Sequence, residues 1–153
     1  MKRYTRGYEL LIRTGSSLQS PFLLAVRLYW GWQFEQAGWG KFGQMDKVIH
    51  AFTNLGIPAP VFNAWFVSGL EFAGGILLIL GLGSRLIALP LVIDMMVAYA
   101  TAHREALVQI FSAPSKFLAA APCTYLVASL IVLIFGPGKF SLDAMLTGKF
   151  SKK

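Results

Sequence analysis

Four apolar stretches follow one another along the chain, at about residues 21–42, 61–82, 85–103 and 117–135, separated by polar segments rich in Gly and Pro. Each is close to the roughly twenty residues that an α-helix needs to cross the hydrocarbon of a bilayer. The pattern predicts an all-α integral membrane protein, a four-transmembrane-helix bundle that forms a single domain over residues 1–153. Pro21 suits the first turn of span one. The segment 43–60, with Lys47, His50, Asn54, Gly56, Pro58 and Pro60, reads as a loop with a short amphipathic helix at about 45–55. Gly81 to Ser84 leaves almost no connection between spans two and three, so those two must be antiparallel neighbours. Pro90 predicts a kink inside span three, residues 103–116 form a second loop broken at Pro114, and Pro122 lies inside span four.

Composition sharpens the class. The 153 residues are 56% hydrophobic and only 14% charged, well below the quarter expected of a soluble domain. The formal charge of +7 would allow nucleic acid as a partner, but the basic residues sit mainly in the tails, where lipid headgroups attract them. Lys2, Arg3, Arg6 and Arg13 lie in a basic tail at 1–20, and Lys139, Lys149, Lys152 and Lys153 in another at 136–153. With Arg85 these outnumber the bases of the two other loops, and the positive-inside bias predicts both termini in the cytoplasm. The first tail, with Leu10, Leu11 and Ile12 among its charges, is expected to lie along the membrane surface. It has no short apolar run ending in a small-residue cleavage site, so no cleaved signal peptide is expected. The lone Cys123 excludes an internal disulfide and any CxxC chemistry by this chain itself.

The remaining question is what ionisable groups do inside apolar helices, where each costs about 2.5–3.5 kcal/mol even on the lenient insertion scale. Glu71 in span two and Asp94 in span three fall about 16 Å and about 13 Å from the cytoplasmic side, near the midplane. Arg27, about 9 Å in on span one, is the base deep enough to meet one of them, which predicts an Arg27–Glu71 pair across helices. Span one also stacks Arg27, Gly31, Glu35 and Gly38 on one face and Tyr29, Gln33, Gln36 and Gly40 on another, which predicts a place at the centre of the bundle. With Arg27 spent, Glu35, Glu71 and Asp94 cannot all be neutralised. The surplus acids must be partly protonated, face water, or meet a ligand or a partner chain. Tyr99 and His103 at the outer end of span three are either interfacial anchors or the edge of a pocket for a quinone carbonyl, with Glu35 placed to take a proton. Gly74 and Gly75 read as close helix packing.

Sharper chemistries find no support. His50 and His103 have no metal-ligand spacing, so no metal and no covalent cofactor is expected. GLGSR at 81–85 lacks the Lys-Ser/Thr of a phosphate loop.

Several segments in a fixed order carry a family resemblance: the arginine and glycines of span one leading to GWGKF at 38–42, LGIPAP at 55–60, LEFAGGILLILGLGSR at 70–85, His103, and GPGKFSLD at 136–143. From about Leu23 to Leu146 the chain resembles the DoxX family of small four-span membrane proteins. The resemblance implies a bacterial or archaeal inner-membrane protein, multi-pass, related to the membrane subunit of thiosulfate:quinone oxidoreductase. It implies quinone as a bound cofactor or substrate and redox partner subunits, and it leaves room for a homo-oligomer. The positions that match the family are Arg27, Lys41, Glu71, Gly74, Gly75, Arg85 and His103. Lys41, Gly74, Gly75 and Arg85 are assigned structural roles, while Arg27, Glu35, Glu71, Asp94, Tyr99 and His103 are the ligand-binding candidates. Two readings stay open. In one the chain is a quinone-linked oxidoreductase subunit, and in the other a scaffold or lipid-binding protein whose buried charges only fix helix register.

Overall fold

The structure, a computed structural model, describes residues 2–150, with side chains from residue 7 to 146. Lys152 and Lys153 of the second basic tail, and the side chains of Lys2, Arg3, Arg6 and Lys149, lie outside the described residues. Among the described residues there are eight helices and no strand. They are α1 (Lys2–Phe42), α2 (Met45–Asn54), α3 (Pro60–Leu80), α4 (Ser84–Thr101), α5 (Arg104–Val108), α6 (Pro114–Ala119), α7 (Pro122–Phe135) and α8 (Leu142–Phe150).

Two of the expected spans, α3 and α4, are long and apolar enough to cross a membrane. The other two differ from the expectation. Pro21 does not open a helix: it lies midway in the 41-residue α1, which at 1.5 Å per residue is about 60 Å long. No glycine-proline turn precedes it, and the upstream hydroxyls bond back along the helix, Thr14 to the Leu10 carbonyl and Ser17 to that of Arg13, both at 2.8 Å. A proline in such a run deletes one backbone bond without ending the helix. Pro122, conversely, is not internal. Ala120 is extended (φ −68°, ψ 134°) and Pro122 occupies the first turn of α7, where its missing N–H costs nothing. The stretch 117–135 is thus divided between α6 and a 14-residue α7 about 21 Å long.

The helices pack in the order α1, α3, α4, α7, with α7 returning to α1, around a core that includes Phe34, Leu78, Ala88, Leu91 and Val132. The α1–α3 contact is set by small residues. A Cβ on Gly75 would lie 2.5 Å from the Glu35 backbone nitrogen, so the two helices touch backbone to backbone. Gly74, one residue earlier, instead faces the side chains of Ile87 and Leu91 on α4. The α3–α4 turn uses Gly81 in the left-handed region (φ 67°), with Gly81 N–H donating to Leu78 and Leu82 N–H to Leu77, the pattern that closes a helix on glycine.

α1 is not at the centre. Leu23, Arg27, Gly31, Phe34 and Gly38 form one buried stripe, while Leu28, Tyr29, Trp32, Gln36 and Trp39 are exposed. Residues 7–19 are exposed throughout, and Ser20 Oγ accepts from the Lys139 amide at 3.4 Å. Large apolar side chains also cover the outside of α3, α4 and α7, among them Phe62, Trp65, Leu86, Ile93 and Ile134.

Candidate functional site

Two polar clusters form inside this framework, one at the C-terminal end of α3 and one at its middle. At the α3–α4 turn, Arg27 is 1% exposed. Its two terminal nitrogens donate to the carbonyls of Pro137 (2.5 Å) and Phe140 (2.8 Å), in the loop between α7 and α8. Asp143 in the first turn of α8 adds its charge to Arg27 and accepts the backbone N–H groups of Gly83 (2.8 Å) and Ser84 (3.0 Å), capping α4. Arg85 reaches the Ile134 carbonyl at 3.3 Å. The GPGKFSLD segment is therefore a clasp that ties α1, α4 and α7 together.

The expected Arg27–Glu71 pair does not form. Arg27 is level with Gly81, whose Cβ would lie 2.5 Å from Nη1 and which is ten residues, or about 15 Å, beyond Glu71. Side chains on a helix lean toward its N-terminus, so the Arg27 stem points away from Glu71 and into the clasp. The same lean brings Lys41 back along α1 toward α3. Its ammonium forms the ion pair with Glu71 Oε2, the lysine side chain 30% exposed and the glutamate 4%. Lys41, read as structural, is the base that Glu71 meets.

Asp94 on α4 completes this second cluster, its carboxyl interacting side chain to side chain with that of Glu71. Asp94 Oδ2 is fully enclosed without a hydrogen-bond donor among the described residues. Lys41, Glu71, Asp94 and His103 line a cavity of about 440 Å³, together with Asn63, Thr101, Tyr125 and an apolar wall that includes Phe52, Leu55, Ile57, Val67 and Met95. α2, the 55–60 loop and the start of α7 form the rest of its mouth.

The other candidates stand apart. Glu35 accepts from Gln36 Nε2 at 2.7 Å and does not line the cavity. Tyr99 is buried, its ring stacked on Phe117 (4.5 Å, 12°) and its hydroxyl donating to the Phe117 carbonyl at 2.8 Å. It holds α4 against α6, with His103 edge-on at 6.2 Å. Asn63, Thr101 and Tyr125 are polar wall residues that sequence reasoning missed. A signal for Asn63 was present, since Asn63, Val67 and Glu71 recur every four residues on one face of α3. Tyr125 had no such signal.

The arrangement can hold an amphipathic molecule with its polar end against Lys41, Glu71 and Asp94 and its body on the apolar wall. Among the described residues no three His, Cys, Asp or Glu side chains gather as metal ligands would.

An all-helical chain with two helices able to span a bilayer and a lipophilic exterior is a helical membrane protein in character. Residues 22–104 match the DoxX family, and the chain belongs to it. That range holds every charged residue of the cavity. The chain is 32% identical over 139 residues to an uncharacterized membrane protein of Mycobacterium tuberculosis, covering 83% of this chain and 82% of that protein. It is 28% identical over 135 residues to an uncharacterized protein of Haemophilus influenzae, covering 86% and 87%. No solved structure matches it significantly.

Proposed function

We propose that this protein is a four-span bundle of the inner membrane, with cytoplasmic termini, that binds a quinone-like amphipathic molecule and serves as the membrane subunit of a redox complex. In this reading α1 from about residue 21, α3, α4 and the α6–α7 pair are the spans, and the exposed apolar side chains of α1, α3, α4 and α7 face lipid. Exposed Trp39 and Trp65 sit together near Phe42 and Phe72 at the cavity end, the position of an aromatic belt.

One observation carries the binding function: Glu71 and Asp94 are placed together, with a single lysine, on the wall of an apolar cavity. Charges that only fix helix register need no cavity beside them, and this pair has one. The cavity volume suits a single aromatic headgroup with the start of a tail. A redox step would need an electron donor from a partner subunit, since the lone Cys123 is buried and this chain brings no dithiol. The scaffold reading is favoured at one place, the Arg27 clasp, and the two functions can coexist in one chain.

The test is extraction of the protein purified with its native lipids, followed by mass spectrometry, beside quinone titration of wild type and Glu71→Gln. A co-purifying quinone and a loss of affinity of about tenfold in the variant are expected. No bound quinone and unchanged titration would remove the proposal.

A further inference from the structure

One stripe of α1 runs from Tyr8 to Trp39 at alternating spacings of three and four residues. Its large members before Trp39 are Tyr8, Leu11, Leu18, Phe22, Tyr29 and Trp32, each more than half exposed. Gly15 and Ala25 fill the positions between them, Gln36 follows, and every position of the stripe is exposed. At 1.5 Å per residue the stripe is about 46 Å long, more than four repeats of seven. It lies on the opposite side of α1 from the buried stripe that packs on the bundle, and it continues without a break through Pro21 into the extension at 7–19. Glu9 and Arg13, the charges of that extension whose side chains are described, lie off the stripe and four residues apart.

We infer that the stripe is the seam of a parallel two-helix coil made with α1 of a second copy of this chain. An apolar repeat of about 3.5 residues sustained over four heptads is the pattern by which two helices supercoil left-handedly about each other. The extension needs such a neighbour, because a helix as short as 7–19 is marginal in water by itself. A partner that follows the whole stripe is itself a helix partly in lipid and partly outside it, and α1 of a second copy has that form. Both copies share one orientation in the membrane, so their pairing is parallel and each seam residue meets its own counterpart across a two-fold axis. Gly15 and Ala25 let the backbones approach; a Cβ on Gly15 would meet nothing within 4 Å in its own chain. Gln36 fixes the register. It donates one N–H to Glu35 at 2.7 Å, and its other N–H and its carbonyl suit a reciprocal pair with a second Gln36, where lipid offers neither donor nor acceptor. The dimer does not depend on what the cavity binds.

The experiment is oxidative cross-linking of the full-length protein in native membranes, with single cysteines placed in a Cys123→Ala background. Leu11→Cys and Leu18→Cys on the seam are expected to give a covalent dimer at least about tenfold faster than Arg13→Cys and Ser17→Cys on the far side of the same helix. All four positions are exposed and lie outside the bundle. In a second arm, the wild type reconstituted in vesicles is expected to dimerise across a protein-to-lipid dilution series. Leu11→Glu combined with Leu18→Glu, which sets carboxylates against each other across the seam, is expected to weaken that dimer by at least about tenfold. Equal rates at the four positions overturn the inference, as does a wild type that stays monomeric throughout the dilution series. Slow cross-linking at all four sites overturns it too, and leaves the extension lying on the bilayer surface.

Discussion

The two polar clusters of this protein contain nearly the same groups and put them to opposite uses. At the α3–α4 turn, one arginine and one aspartate are spent on backbone: Arg27 on two carbonyls, Asp143 on two amides. At the middle of α3, one lysine and two carboxyls meet one another on the wall of a cavity. The first cluster satisfies orphaned backbone groups of a helix start and an irregular loop, which burial shields from water. Each leaves polar atoms unmet, Arg27 Nε and Ser84 Oγ in the clasp and Asp94 Oδ2 in the second, but the second cluster alone stands beside a cavity that something polar can enter. Buried charge by itself therefore says little; what it is bonded to separates a structural device from a binding one.

The largest effect should come from breaking the clasp. Arg27→Ala removes the donors that meet the Pro137 and Phe140 carbonyls and the charge beside Asp143, and a loss of about 3–5 kcal/mol is expected from unfolding in mixed micelles. A loss under 1 kcal/mol would deny the clasp its structural role.

Lys41→Met comes next. It strands Glu71, but the lysine is about a third exposed, so a smaller loss of about 1–3 kcal/mol is expected. Adding Glu71→Gln to that variant should restore most of the stability without restoring ligand affinity. Recovery of both would mean that the pair serves register alone.

The smallest effect is expected for Asp143→Asn, which keeps the shape of the cap but not its charge at the α4 N-terminus. A loss of about 1 kcal/mol is expected in the same unfolding measurement, with ligand titration unchanged. A change in affinity there would join the two clusters that the comparison separates.

Several features were legible in order along the chain. The apolar runs gave α3 and α4 nearly to the residue, and the GLGSR turn gave their antiparallel pairing, because hydropathy and glycine turns are local signals. That Glu71 and Asp94 lie within α3 and α4 also followed from counting residues. Their partner did not. Depth along the membrane normal made Arg27 look within reach, but the direction in which a helical side chain leans is fixed by backbone chirality and decided for Lys41. Tyr99 and Glu35 were misplaced for a related reason, since a residue's level on a helix does not say which neighbour its face meets. The two prolines exchanged roles: Pro21 is inside a helix and Pro122 at the start of one. Which proline breaks a helix depends on what packs before it, not on the proline alone.

The sequence by itself determined that the chain is helical, suited to lipid and carries Glu71 and Asp94 within apolar segments, because composition and periodicity are properties of each segment taken alone. Only the tertiary structure decided which acid is paired and which faces a cavity. Backbone contact at Gly75 sets the register of α1 on α3, and that register carries Lys41 to Glu71 and Arg27 past it to the GPGKFSLD loop.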